Sequence, residues 1–231
     1  MSQDERPQRL RVTYRKAGAL RYIAHLDLMR TWERSLRRAR LPLAYTQGFT
    51  PHPRIALGAP LPVGTIGERE LLDVWLSPPV APEEFVRRLR ASLPEELTLL
   101  AAVEAAHELP SLQSQIHSAT YEVAFEQGAL DAVEVRARLE ALLALEELDW
   151  EEQRGAKTRR YDLRAAIRDL ALREEGERFV LAMDLELNEQ RTGRPASVLA
   201  ALEVESRPAS IVRTGLRLGE RALASAGEGR A

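Results

Sequence analysis

Strand-like and helix-like patterns follow one another in the same order twice along this chain, and that repetition constrains the fold more than any single motif. Residues 9–15 alternate, with Leu10, Val12 and Tyr14 opposed to Arg9, Arg11 and Arg15, the period of a half-buried strand. A short extended piece is expected over 20–23, then a helix over 26–40 and strands over 54–58 and 70–76. Pro82 suits the first turn of a second helix whose apolar face is Phe85, Val86 and Leu89, and residues 97–103 supply a fourth strand. The second half reads as strand 119–125, helix 130–145, short strand 150–154, a helical insertion over 162–173, strand 178–187, helix 195–202 and strand 211–218. The expectation is an α+β protein of two tandem ferredoxin-like (βαββαβ) domains, residues 1–106 and 117–219, with a flexible tail over 220–231. Letter-by-letter similarity between the halves is slight, so the repeat is one of element order. Such a fold hosts many functions, RNA binding among them.

The helix over 26–40 is the sharpest element. Stepping 100° per residue, Leu28, Met29, Trp32, Leu36 and Ala39 share one face, and Arg30, Arg34, Arg37 and Arg38 the opposite one, with Asp27 beside them. A solvated helix face usually mixes charge signs. Four arginines with one acid are more one-sided, and the guanidinium fork suits bidentate phosphate contacts. Tyr22, Tyr45 and Phe49 flank the helix in sequence, where aromatic rings either stack unpaired bases or pack the core. Core packing is expected for Tyr22 and Phe49; Tyr45 stays open.

Residues 45–64 follow, and seven of these twenty are Pro or Gly. Gln47, Gly48, Phe49, Pro51, Pro53, Gly58, Pro60, Pro62 and Gly64 describe a loop held in one shape, since Pro fixes φ and Gly supplies positive φ. Phe49, Ile55, Leu57 and Leu61 recur through it as apolar anchors that a disordered linker would lack. His52, between two prolines, braces the loop or contacts a phosphate, and Arg54 adds a charge beyond it. His25, at the helix start, bonds nearby backbone or serves in acid–base chemistry. Asp162 and Arg164 read as a positioned polar pair or as an ordinary helix cap.

Charge supports a polyanionic partner. The chain of 231 residues has a net charge of −2, but residues 1–58 carry 12 basic and 4 acidic residues, a net of +8. Cysteine is absent, which excludes disulfides, thiolate zinc sites and cysteine-held iron–sulfur clusters within these residues. The four histidines, His25, His52, His107 and His117, lack close metal-ligand spacing, so no metal and no cofactor is expected. No phosphate-cradling loop, dinucleotide fingerprint or nucleophile elbow occurs. No apolar run approaches the roughly 18 residues that span a bilayer, so a soluble, cytoplasmic protein with no membrane partner is expected.

His25-Leu26-Asp27-Leu28 with Arg34 and Arg37-Arg38-Ala39, then residues 47–53, then Pro60-Leu61-Pro62-Val63-Gly64, together resemble the radical-SAM-linked protein family. Asp162-Leu163-Arg164, Gly193-Arg194-Pro195 and Arg213-Thr214-Gly215 are similar to its weaker second-half motifs. That family is a bacterial domain of unknown function, found alone or fused to radical-SAM proteins with a cobalamin-binding-like domain, and also associated with ribonuclease G. The resemblance implies a radical-SAM protein as partner. Without cysteines this chain would be its companion and not the catalyst.

Three functions compete. The first is a non-catalytic RNA-binding or substrate-presenting module for RNA modification or processing, using Arg30, Arg34, Arg37, Arg38, Tyr45, His52 and Arg54. The second is a metal-independent endoribonuclease with His25 as acid or base. The third is an adaptor that docks a radical-SAM enzyme through residues 47–53. The sequence leaves oligomeric state open.

Overall fold

The computed structural model describes residues 6–154, 157–188 and 191–219. They form an α+β protein in two compact units, one running to Ile116 and taking in Leu218, the other spanning His117–Arg217.

In the first unit, β1 (Gln8–Lys16), β2 (Ile55–Leu57), β3 (Ile66–Leu76) and β4 (Leu97–Glu104) pair antiparallel in the order β4-β1-β3-β2. Helices α1 (His25–Arg38) and α2 (Pro82–Arg90) lie on one face of this sheet. Leu10, Val12 and Tyr14 of β1 and Leu72, Val74 and Leu76 of β3 meet Leu28, Trp32 and Leu36 of α1 and Phe85 and Leu89 of α2. Tyr14 packs edge-on against Trp32, ring centroids 4.8 Å apart. Full burial of each such large side chain is worth about 1.5–3 kcal/mol, which holds α1 to the sheet by its apolar stripe.

The opposite face of β1 is not half-buried as its alternation suggests. Arg9 and Arg11 are 3% and 8% exposed, covered by the return segment through the short helix α3 (Leu112–Gln115). The expected extended piece at 20–23 is instead a 3₁₀ turn over Gly18–Tyr22. It opens at Gly18, whose φ of +52° is left-handed and where a Cβ would sit 2.7 Å from Cγ of Glu96.

In the second unit β5 (Ile116–Glu126), β8 (Ile167–Glu175), β9 (Arg178–Glu186) and β10 (Ser210–Leu218) follow the order β10-β5-β9-β8. Helices α4 (Ala132–Ala144) and α5 (Pro195–Ala201) pack on their core. Asp131 caps α4, its Oδ1 accepting from the backbone N–H groups of Val133 and Glu134 at 3.0 Å each. The helix expected over 162–173 is absent. Asp162 accepts from the N–H groups of Leu148 and Ala165, closing a 3₁₀ turn over Arg164–Ala166, and β8 follows. A register shift between Ile167 and Asp169 breaks the two-residue alternation. It leaves Ile167 and Leu170 both buried three positions apart, a spacing that imitates a helix in sequence. The inserted element is a separate two-stranded ribbon of β6 (Asp149–Arg154) and β7 (Lys157–Asp162). The tail expected over 220–231 lies outside the described residues.

Candidate nucleic-acid interface

The outer face of α1 presents Arg30, Arg34, Arg37 and Arg38 to solvent, while Leu28, Trp32, Leu36 and Ala39 are buried behind them. Arg30 is 3.0 Å from Asp27 Oδ1; Arg34, Arg37 and Arg38 form no ion pair among the described residues. No acidic residue occurs between Glu33 and Glu68, so the charge continues through Arg40 into the following loop unopposed in sequence. α2 contrasts with this: Arg87 is 2.7 Å from Glu84 and Arg88 4.0 Å from it. Arg88 also donates through Nε to the carbonyl of Ala39 at 3.0 Å and through Nη2 to that of Arg40. It satisfies carbonyls left open at the C-terminus of α1, where Arg40 turns the chain with φ of +54°.

Beyond α1 the chain rises into a braced hairpin. Ala44 N–H donates to the carbonyl of Trp75, Trp75 N–H to that of Arg54, and Arg54 N–H to that of Ala44, at 2.8–3.0 Å. Tyr45 bridges Pro53; Thr46 N–H donates to the His52 carbonyl at 2.8 Å, and His52 N–H to Thr46 Oγ1 at 3.0 Å. The backbone of His52 therefore braces the hairpin while its imidazole stays exposed. Residues 47–51 form the tip, with Gly48 at φ +129°. Core packing of Phe49 and Tyr22, expected from sequence, does not occur: Phe49 is 110% exposed, Tyr22 59% and Tyr45 47%. Tyr22 lies under the Arg21 guanidinium, 4.7 Å from its ring centroid. The signal for Phe49 lay in its neighbours, since Gln47, Gly48 and Thr50 leave it only Pro51 as an apolar companion. Further on, Leu61 is buried and Gly64 N–H donates to the Arg21 carbonyl at 2.8 Å, pinning the second part of the loop.

Arg54 does not join the α1 stripe. Ile55 and Leu57 point into the helix-side core, as do Val74 and Leu76, so alternation sends Arg54 and Trp75 to the other face of the sheet. There the Arg54 guanidinium lies 4.9 Å from the Trp75 ring centroid and that of Arg9 5.3 Å from it. Arg9, Arg11 and Lys16 are buried, so the +8 of the first section overstates what a partner meets.

His25 opens α1, and burial, followed by the charge of Lys16, lowers its pKa from the ordinary value. No carboxylate or second imidazole is hydrogen-bonded to it among the described residues. No grouping of three or more His, Cys, Asp or Glu suited to a metal ion occurs among them, and no helix is long and apolar enough to cross a membrane. Of the second-half motifs, Asp162 caps a turn, Arg164 donates to the carbonyls of Leu143 and Ile167, and Arg213 is fully buried in β10.

A family model described as "Uncharacterized protein conserved in bacteria (DUF2344)" matches residues 9–195. No curated protein matches the chain. Among solved structures, a chain of the "Crystal Structure of a Cbf5-Nop10-Gar1 Complex" is similar with a TM-score of 0.52 at 11% identity, over 90% of this chain and 48% of that one. A chain of an archaeal box H/ACA sRNP Nop10–Cbf5 complex gives a TM-score of 0.46 at 13% identity, over 91% of this chain and 48% of the other. This chain thus spans about half the length of these two solved chains, and the likeness to the first is one of fold.

Proposed function

We propose a function for a chain that belongs to the uncharacterised bacterial family DUF2344: a non-catalytic module that binds RNA through the outer face of α1. The observation that carries this reading is the row Arg34, Arg37 and Arg38, exposed and unpaired among the described residues, on a helix whose other face is locked into the core. A helix pinned in this way fixes the backbone positions from which its arginines reach successive phosphates. Arg30 lies on the same helix face, and Tyr45 and His52 follow in the acid-free stretch beyond it. Arg54 serves instead to brace the hairpin on Trp75.

RNA affinity should fall steeply with salt, each phosphate contact on a single strand contributing about 0.7 to the slope of log K against log salt. Arg34→Glu with Arg38→Glu should abolish binding in a fluorescence anisotropy titration and leave the far-UV circular dichroism unchanged. Unchanged affinity would falsify the reading.

We also read each unit as ferredoxin-like, a cytoplasmic setting, and a radical-SAM protein as partner. The strand orders β4-β1-β3-β2 and β10-β5-β9-β8 support the first. The partner rests on the sequence resemblance alone. Nuclease-resistant co-purification with a radical-SAM enzyme is its test. A cleaving role for His25 has the lowered pKa in its favour, and no orienting group beside it. Cleavage in EDTA that His25→Ala leaves intact would remove it.

A further inference from the structure

Phe49 stands at the end of a hairpin whose arms are tied by the Thr46–His52 and Ala44–Arg54–Trp75 backbone bonds. A fully exposed phenyl ring on a braced tip is costly to leave in water, since its whole apolar surface stays wetted. The tip around it is mostly polar: Gln47, Thr50 and His52 are exposed, and Pro51 is its one apolar neighbour in the turn. A protein-docking surface presents a contiguous apolar patch with a polar rim. This tip offers one flat ring on an acid-free stretch that runs from Arg34 through Arg37, Arg38 and Arg40. Such a ring matches the face of a nucleobase, and the arginines of the same acid-free stretch match its phosphates. Base faces are free only where bases are unpaired.

We infer that Phe49 stacks on an unpaired base and that the ligand is therefore single-stranded RNA. This rests on the RNA reading above and narrows it to single strands. Tyr45, half-exposed at the base of the same hairpin, is placed as a second stacking ring.

The test uses the full chain, a fluorescein-labelled oligouridylate and a blunt-ended RNA duplex of the same length. Wild type should bind the oligouridylate more tightly than the duplex. Phe49→Ala should weaken oligouridylate binding by roughly five- to 150-fold, the range of one lost base–aromatic stack, with duplex binding unchanged. Phe49→Trp should retain affinity, and its added emission should be quenched by the single strand and not by the duplex. If Phe49→Ala binds like wild type while Arg34→Glu with Arg38→Glu does not bind, the stacking inference falls and the RNA reading stands. Equal affinity for duplex and single strand, with unaltered tryptophan emission, overturns the inference as well. If neither RNA binds, both fall. Phe49 touches no core residue, so a failed fold is not expected, and an unchanged melting temperature checks this.

Discussion

Arg9 of β1 clasps Asp73 of β3 across the sheet, its Nε and Nη2 donating to Oδ2 at 2.9 and 2.6 Å. Arg11 uses the same carboxylate, donating from Nε to Oδ1 at 2.9 Å and from Nη2 to Oδ2 at 3.1 Å. The remaining guanidinium nitrogens also find acceptors: Arg9 reaches the carbonyls of Leu109 and Pro110, and Arg11 reaches Gln115 Oε1. Asp73 is fully buried, so a single carboxylate is shared by two guanidinium groups away from water, and neutral carbonyl and amide oxygens meet the rest of their charge. Stability here comes from pairing within the network, because an isolated buried charge is far more costly than a paired one.

Asp73→Asn should therefore destabilise the first unit by about 3–5 kcal/mol, the cost of leaving buried charge uncompensated. Urea unfolding followed by tryptophan emission measures it, since Trp75 lies under Arg9. Replacing all three residues together by Met and Leu should cost less than the single change. A loss below about 1 kcal/mol in the single variant would show that water solvates the pair.

Arg88 ties α2 to the end of α1 through the carbonyls of Ala39 and Arg40. Arg88→Leu keeps most of the apolar stem and removes both bonds, so the expected loss is about 1–2 kcal/mol. Arg88→Lys should recover only part, because one ammonium does not reproduce the fork. Thermal unfolding of the three proteins should rank wild type, Lys, then Leu; any other order contradicts the capping role.

His25 gives a pH dependence with a definite sign. Burial lowers its folded-state pKa below the ordinary 6.5, so between those two values the unfolded chain holds more protons than the folded one. Stability is full above about 6.5 and declines as pH falls toward the folded-state pKa. His25→Gln should remove this segment from a plot of melting temperature against pH. A wild type that grows more stable on mild acidification would contradict the burial of the imidazole.

Much of α1 was legible in the sequence. The spacing of Leu28, Trp32, Leu36 and Ala39 placed one face in the core, and Arg30, Arg34, Arg37 and Arg38 stand on the other. Pro82 opens α2 and Pro195 opens α5 as their first-turn preference predicts. These features are local. They depend on contacts between residues three or four apart, which backbone geometry alone brings together.

The features that sequence missed are those in which distant segments meet. The second face of β1 is buried because Asp73, 64 positions from Arg9, and the return segment near Pro110, 101 positions away, close over it. β8 reads as a helix until its register on β9 shows the irregularity that brings Ile167 and Leu170 to one side. Phe49 reads as core until the hairpin bonds carry it outward. Residue type and period determine which faces an element has. Which of those faces is covered depends on chain segments that only the tertiary fold brings near, and in this protein that decision separates structural arginines from those free to meet a partner.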